Sequence, residues 1–138
     1  MEATEKFYNF RSDWLKALVS LEQILNVDLS LYDEKEQDWI KNGQIQKFEI
    51  CTELMWKTLR FYLSAQEFDV PDAPKKLLKH ALLQGFLLEE EYLQLYEALE
   101  LRNRLSHIYK LAVFEEALPI LPIIYKTMRQ VYDKLQLP

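Results

Sequence analysis

The stretch QIQKFEICTELMWKTLRFYLSA, residues 44–65, decides the fold class of this chain of 138 residues. Its core-type positions recur at spacings of three and four, which is the period of one face of an α-helix. These positions are Ile45, Phe48, Thr52, Met55, Leu59, Tyr62 and Leu63. Because so long an apolar stripe needs a second apolar surface to cover it, the stretch predicts a long helix inside a helical domain.

The same period recurs elsewhere in the chain. It predicts helices over about 4–25, 75–84 and 113–135, and another that begins with the acidic run 89–91. Gly85 follows the shortest of these as a left-handed stop. Pro119 and Pro122 fall inside the last pattern, so that helix must kink there or begin at one of them. We predict an all-α domain over residues 1–138, an antiparallel up-and-down bundle of four main helices plus a shorter helix.

Two segments are expected to interrupt the helices. NVDLSLYDEKEQ, residues 26–37, lacks a sustained apolar period and is interpreted as a connector. Asn42 and Gly43 come a few residues later, and this pair predicts a further break before the long helix begins at Gln44. The segment EFDVPDAP, residues 67–74, separates the long helix from the next, and Pro74 suits a first helical turn.

Composition removes several classes of protein. The chain has 22 acidic and 17 basic residues, a net charge of -5, so no overall positive field attracts nucleic acid. One cysteine and two histidines exclude an intramolecular disulfide and a zinc-type cluster, and two glycines cannot supply phosphate-binding loops. We therefore expect no metal and no cofactor. The first residues resemble no signal peptide, and no apolar run is long enough to span a membrane, so we expect a cytoplasmic protein.

A polar cluster, RNRLSHIY at residues 102–109, holds the side chains best suited to chemistry. Arg102 offers a planar fork that matches a phosphate, and His107 is suited to proton transfer near neutral pH. Five positions on a continuous helix leave two side chains about 140° apart, so their convergence requires the helix to end or distort between them, and Ser106 suits such an ending. Alternatively, Arg102 only satisfies the last carbonyls of its helix.

Charged residues along the long helix form a second candidate group. Glu53 and Lys57 are spaced as a favourable ion pair on a solvated face, which is one interpretation. The other is that a carboxylate of this face orients Arg102 or His107 across the bundle. Trp14 and Trp56 are predicted to lie in the core. The basic patch Lys75, Lys76, Lys79 and His80 is interpreted as solvated, and Cys51 as a small buried side chain.

Taken together, IQKFEICTELMWKTLRFYL, LLQGFL and LRNRLSHIY resemble the nucleotidyltransferase substrate-binding protein family of the HEPN superfamily. The likeness covers about residues 44–132. Its most specific part is an Arg-x4-His-x-Tyr motif, filled here by Arg102, His107 and Tyr109, with the polar Asn103 directly after the arginine. The chain departs from the family chiefly at Pro119 and Pro122.

The resemblance implies a helical bundle that commonly forms a homodimer and a complex with a small nucleotidyltransferase encoded nearby. In several such pairs the HEPN protein resembles a metal-independent ribonuclease toxin, and the nucleotidyltransferase is its antitoxin. By this analogy Arg102 and His107 are catalytic and Tyr109 is nucleotidylated. We expect Asn103, together with Glu53 and Lys57 of the charged helix face, to bind or orient. RNA or a nucleotide is then the expected ligand.

Three functions stay open at this point. The first is a ribonuclease toxin of such a two-protein module. The second is a non-catalytic nucleotide- or substrate-binding subunit of the nucleotidyltransferase complex, which the acidic net charge favours. The third is a helical interaction protein in which the motif is structural.

Overall fold

The computed structural model describes residues 2–107, except for the side chain of His107, and residues 111–138. These residues contain six α-helices and a 3₁₀ turn at Leu29–Leu31. The helices are α1 (Glu2–Leu25), α2 (Glu34–Ala65), α3 (Pro74–Leu83), α4 (Glu89–His107), α5 (Leu111–Ala117) and α6 (Leu121–Lys134).

α1 and α2 form the most extensive helix pair of the molecule. Near one end of the pair, the rings of Phe7 and Tyr62 lie 5.3 Å apart between centroids. Near the other end, the side-chain amide of Gln44 donates to the carbonyl of Ile24 over 3.0 Å. Because the contacts run in opposite order along the two helices, α1 and α2 are antiparallel.

α4 lies between α2 and α6. Glu91 in its first turn pairs with Lys134 at the end of α6, so these two helices also run in opposite directions. Its contacts with α2 again follow opposite orders along the chain. They are Arg102 with Glu53 and Ser106 with Glu49. With α6 also packed on α1, the predicted up-and-down bundle is confirmed, its long helices being α1, α2, α4 and α6 and its shorter one α3.

The predicted break at Asn42 and Gly43 is wrong. α2 begins at Glu34, behind a capping box made by Asp33 and Glu36, and continues through the glycine to Ala65. A Cβ atom at Gly43 would lie 2.7 Å from the terminal methyl of Ile24. The glycine therefore serves the close approach of α1 and α2, and the packing of the two helices outweighs its low helix propensity.

The sequence left two alternatives for the last helical pattern, a kink at the prolines or a helix that begins at one of them. The structure has the second. α5 ends at Ala117, a turn follows, and α6 begins at Leu121 with Pro122 in its first turn. Proline is tolerated there because the first amides of a helix have no partner within the helix. α5 itself is a short additional helix that the sequence pattern had merged with α6.

The core is filled by apolar side chains of α1 to α6, and Trp14, Phe7, Phe48, Leu18 and Met55 are among its largest fully buried members. Trp14 thus lies where the sequence predicts it. Of the helices in the described part of the chain, none combines the length and the hydrophobicity required to cross a membrane.

Candidate functional site

Arg102 lies near the end of α4 on the side that faces α2. Its guanidinium forms an ion pair with the carboxylate of Glu53, which lies in the middle of α2, and its side chain is 22% exposed. The pair joins residues 49 positions apart in the sequence. The structure therefore brings together one predicted catalytic residue and one residue predicted to orient it.

Glu53 is held by two further donors from its own helix. The ammonium of Lys57, one turn later, lies 3.1 Å from Oε1, and the indole of Trp56 donates to Oε2 over 3.0 Å. Spacings of three and four on a helix place these side chains on one face. The predicted Glu53 and Lys57 pair is therefore present, and it also contacts Arg102 on the neighbouring helix.

The environment of Glu53 favours its charged form. Burial alone would raise its pKa, but the hydrogen bonds from Trp56, Lys57 and Arg102 outweigh burial, and the pKa lies below its ordinary value of 4.5. The carboxylate thus stays ionised at neutral pH and positions the guanidinium. Trp56 is half-buried and bonded to this group, so it belongs to the site as much as to the core.

Asn103 and Arg102 share a surface cavity of about 310 Å³. On the α4 side the cavity is also lined by Leu99, which is 1% exposed. On the opposite side it is lined by Ala73, Pro74 and Lys75, where α3 begins. The polar residue after the motif arginine thus lies at a concave surface and not on an open helix face.

Lys75 is a residue of this cavity that the sequence analysis had placed in a solvated basic patch. Its ammonium pairs with Glu100 on α4 and lies 5.1 Å from the centroid of the Tyr96 ring. The hydrogen bond with Glu100 raises the pKa of Lys75 above its usual value and lowers that of Glu100. Lys75 and Glu100 are 25 positions apart, so no local pattern in the sequence reveals the pair.

The fourth helix does not end between Arg102 and His107, which corrects the expected ending at Ser106. α4 continues through His107, so Arg102 and His107 occupy one continuous helix. Five positions along it correspond to a rotation of about 500°, which separates the two positions by about 140°. Arg, Leu and Ser residues are all compatible with a helix, and its last turns contact Glu49 and Glu116. The side chain of His107 lies outside the described residues.

Tyr109, predicted to be the modified residue, also lies outside the described residues. The structure resumes at α5, whose first residue, Leu111, is exposed. Arg104, two positions after Arg102, is in contact with Glu116 of α5 at 3.4 Å.

The chemistry available at the described residues is recognition of anions. Arg102 and Lys75 are cations at one concave surface, and each is held by a carboxylate. Within 2–107 and 111–138 no three His, Cys, Asp or Glu side chains are grouped to hold a metal ion. Cys51 is buried, as the sequence predicts, and burial raises the pKa of its thiol to about 12.

Solved structures share this fold. A crystal structure of a Thermus thermophilus protein matches with a TM-score of 0.76 and 25% identity, covering 90% of this chain and 99% of that one. A chain of a crystal structure of a mutant toxin–antitoxin MntA-HpeT matches with a TM-score of 0.75 and 13% identity, covering 94% of this chain and 96% of that one. No protein with a curated description matches the sequence significantly.

The sequence also matches a family model directly. That model is described as nucleotidyltransferase substrate binding protein like, and the match extends over residues 8–137. The matched range includes the positions of Arg102, His107 and Tyr109, and the match confirms the family resemblance stated for the sequence. The chain therefore belongs to the family of nucleotidyltransferase substrate binding protein-like proteins.

Proposed function

We propose that the chain is the HEPN component of a two-protein module with a small nucleotidyltransferase, and that it is a metal-independent ribonuclease. The observation that carries the proposal is the position of Arg102. The motif arginine is anchored by Glu53 and lies at the wall of a cavity, where its remaining N–H donors can meet a phosphate.

The reaction needs no metal because RNA carries its own nucleophile. The 2′-hydroxyl oxygen attacks the adjacent phosphorus and gives its proton to His107, while the bond from phosphorus to the 5′-oxygen breaks. The leaving 5′-oxygen takes a proton from a second acid, and the products are a 2′,3′-cyclic phosphate and a 5′-hydroxyl. Arg102 stabilises the negative charge that grows on the phosphoryl oxygens.

A homodimer follows from the same proposal. Each chain brings one motif histidine, and α4 separates the positions of Arg102 and His107 by about 140° within one chain. Two copies related by a two-fold axis supply two histidines and two arginines to a shared cleft. One histidine then accepts the proton of the 2′-hydroxyl and the other donates to the leaving group.

The family description and the toxin–antitoxin neighbour support a nucleotidyltransferase as the partner. In this proposal the hydroxyl oxygen of Tyr109 attacks the α-phosphorus of a nucleoside triphosphate bound to the partner, pyrophosphate leaves, and the hydroxyl proton passes to a base of the partner. The nucleotidylated ribonuclease is thereby switched off. A nucleotidyl group carries a phosphate, and its negative charge near the motif competes with the RNA for the cations of the site.

A second candidate function is a non-catalytic subunit that binds a nucleotide or presents a substrate to the nucleotidyltransferase. One observation favours it: the guanidinium of Arg102 is already paired with a carboxylate, in a chain whose net charge is -5. Both features weaken the attraction of a long polyanion more than that of a single nucleotide.

The test is cleavage of RNA by the purified protein in the presence of EDTA. We expect the unaltered chain to cleave, and Arg102→Ala and His107→Ala to lose at least about 100-fold in rate, because each removes a group that acts in the transition state. Arg129→Ala is the matched control, since it removes an arginine of α6 that is outside the site; it should cleave at the normal rate.

The outcomes separate the two candidates. Cleavage that persists in either motif variant contradicts the ribonuclease assignment. If the unaltered chain is inactive on RNA but the nucleotidyltransferase still modifies it, and Tyr109→Phe abolishes the modification, the non-catalytic subunit is the correct function.

A further inference from the structure

The long helix α2 carries a second apolar stripe, on the side that faces away from the core. Its members are Trp39, Ile50, Leu54 and Phe61. At 3.6 residues per turn these positions fall within about 60° of one another around the helix axis, and they span about 33 Å along it. Trp39 is 63% exposed and Ile50 43% exposed, whereas Leu54 and Phe61 are half-buried. The single chain therefore leaves an apolar stripe of α2 partly open to solvent.

The positions between these residues on the same face carry little charge. Gly43, Gln46 and Lys57 complete the stripe at spacings of three and four. Lys57 is its one charged member, although charged residues are frequent along the rest of α2. An exposed tryptophan among apolar residues with few charges is typical of the centre of a protein interface. The composition of the face therefore indicates a docking surface and not an ordinary solvated helix face.

The stripe is complementary to itself when a second α2 lies on it in the opposite direction. If Ile50 lies opposite Ile50 of a second copy, positions at equal distances before and after Ile50 face each other. The facing pairs are Trp39 with Phe61, Gly43 with Lys57, and Gln46 with Leu54. Two aromatic rings then meet at each end of the contact, and the residue without a side chain meets the longest one. The occupant that fits this face is therefore a second copy of the chain.

We propose that this face of α2, residues 39–61, is the interface of a homodimer in which two copies of α2 pack antiparallel, with the two-fold axis at Ile50. The axis lies in the interface plane and perpendicular to α2. Rotation about it reverses the helix but keeps each flank of α2 on its own side. Glu49 and Glu53 lie on the flank that contacts α4, so the ends of both α4 helices lie along the same side of the helix pair. A parallel pair would place them on opposite sides.

The inference rests on the proposed function in one respect, the need for a shared cleft. A single chain brings one motif histidine, and the antiparallel pair is the arrangement that places Arg102 of both copies on one side of the interface. Each site is incomplete without the second copy. The interface thereby assigns a role to residues outside the Arg-x4-His-x-Tyr motif, chiefly Trp39 and Ile50.

The area of the face is of the size that a dimer needs. A helix about 33 Å long and about 10–12 Å in diameter offers roughly half of its wall, about 500–600 Å², to a helix packed along it. A stable interface buries about 800 Å² on each copy. Phe10 of α1, whose ring stacks on that of Phe61 at 5.3 Å between centroids, extends the apolar surface on one flank. The edges of α1 and α4 beside α2 therefore take part in the interface as well.

The first experiment is analytical ultracentrifugation of the full chain and of Ile50→Asp. We expect a dimer that the substitution weakens at least about 100-fold, because two carboxylates would face each other within an apolar contact. Ile123→Asp is the matched control, since it makes the same change at an isoleucine of α6 that is 54% exposed; it should leave the dimer intact. Circular dichroism checks the helix content of each variant. An unaltered chain that is monomeric at every concentration, which would leave the face to another protein, overturns the proposal, as does equal weakening by both substitutions.

Cysteine cross-linking tests the direction of the two helices. Ile50→Cys places a thiol on the two-fold axis and should form a disulfide between the copies, whose Cα atoms must come within about 7 Å. Gln46→Cys should not, because its two copies are about 12 Å apart along the antiparallel pair. The unaltered chain is the control, since Cys51 is buried. A parallel pair would cross-link both variants, so equal cross-linking at positions 46 and 50 contradicts the proposed interface.

The result is separable from the ribonuclease test. A dimer that depends on Ile50, in a chain that does not cleave RNA, supports the interface and rejects the catalytic function. Cleavage that depends on Arg102 and His107 but continues at the normal rate in a monomeric Ile50→Asp variant supports the catalytic function and rejects the shared cleft.

Discussion

Glu67 follows the end of α2 with a backbone angle φ of 66°, a value that favours glycine. The amide of Phe68 donates to the carbonyl of Leu63, and that of Glu67 to Ser64, which is the hydrogen-bond pattern of a Schellman motif. α3 ends in the same way, but there the left-handed position is filled by Gly85, with φ of 83°. The two helices therefore end with the same backbone geometry, but the left-handed position is a glutamate after α2 and a glycine after α3.

Replacing Glu67 with glycine should stabilise the protein. We expect Glu67→Gly to raise the free energy of unfolding by about 0.5–1 kcal/mol. The left-handed conformation costs an L-residue about 1–2 kcal/mol, and the greater chain entropy of glycine in the unfolded state offsets part of that gain. Urea denaturation measures the change. Glu67→Ala is the control, since it removes the same exposed side chain but keeps a Cβ atom; a gain of equal size in both variants would show that the strain is not the cause.

The role of Glu53 in the site likewise depends on its surroundings in the fold. Glu53 has the spacing of an ordinary surface ion pair with Lys57, yet its carboxylate also receives Arg102 and Trp56. Its sequence neighbours alone do not distinguish a solvated glutamate from one that positions the motif arginine. The difference lies in α4, which brings Arg102 to it.

At the scale of the elements, the first turn of α4 contains a carboxylate that joins two helices. Glu91 is 2% exposed, accepts from the backbone amide of Leu88 over 2.8 Å and from Gln130 over 2.7 Å, and pairs with Lys134. Burial would raise its pKa, but these partners outweigh burial and the pKa lies below 4.5. The acidic run 89–91 suits the positive end of the helix dipole, and one of its members also ties α4 to α6.

This link makes a prediction about pH. Since the pKa of Glu91 is lower in the folded chain than its ordinary value of 4.5, its ionised form stabilises the fold above about pH 4.5, and this contribution is lost as the pH falls towards the folded-state pKa. We expect Glu91→Gln to lower the free energy of unfolding by about 2 kcal/mol near neutral pH. The difference from the unaltered chain should shrink as the pH falls below about 4.5.

Urea denaturation at several pH values measures both effects. Glu90→Gln is the matched control, because it removes the same charge from the neighbouring exposed position of α4. It should change the stability by less than about 0.5 kcal/mol. Equal destabilisation by the two substitutions would mean that the contacts of Glu91 with α6 contribute nothing beyond the helix dipole.

For the whole molecule, the up-and-down bundle determines which helices share a surface. α4 lies against α2 on one side and α3 on another, and both carboxylate-held cations of the cavity depend on these contacts. Cys51 lies in the middle of α2 and is fully buried. Because its side chain is fully buried, its reaction with a reagent in solution requires an opening of the helices around it.

We predict that Cys51 reacts slowly with a disulfide reagent such as Ellman's reagent in the native protein. With a pKa of about 12, roughly 10⁻⁴ of the thiol is ionised at a pH near 8, and burial blocks access as well. In denaturant the reaction should reach the rate of a free cysteine. A native rate close to that of the denatured chain would show that the core around α2 is open.

The sequence by itself determined the helical class, the end of α3 at Gly85 and a last helix with a proline in its first turn. It also determined the family and the position of the motif arginine. These features are local: a 3.6-residue period, a left-handed stop and a first-turn proline act within a few residues of the chain. The tertiary structure alone decided that α2 continues through Gly43, that α4 continues past Arg102, and that Glu91 is buried. It also placed Lys75 beside Glu100 at the candidate cavity. Each of these depends on a surface supplied by another helix, and the free energy of that packing exceeds the local preferences that the sequence displays.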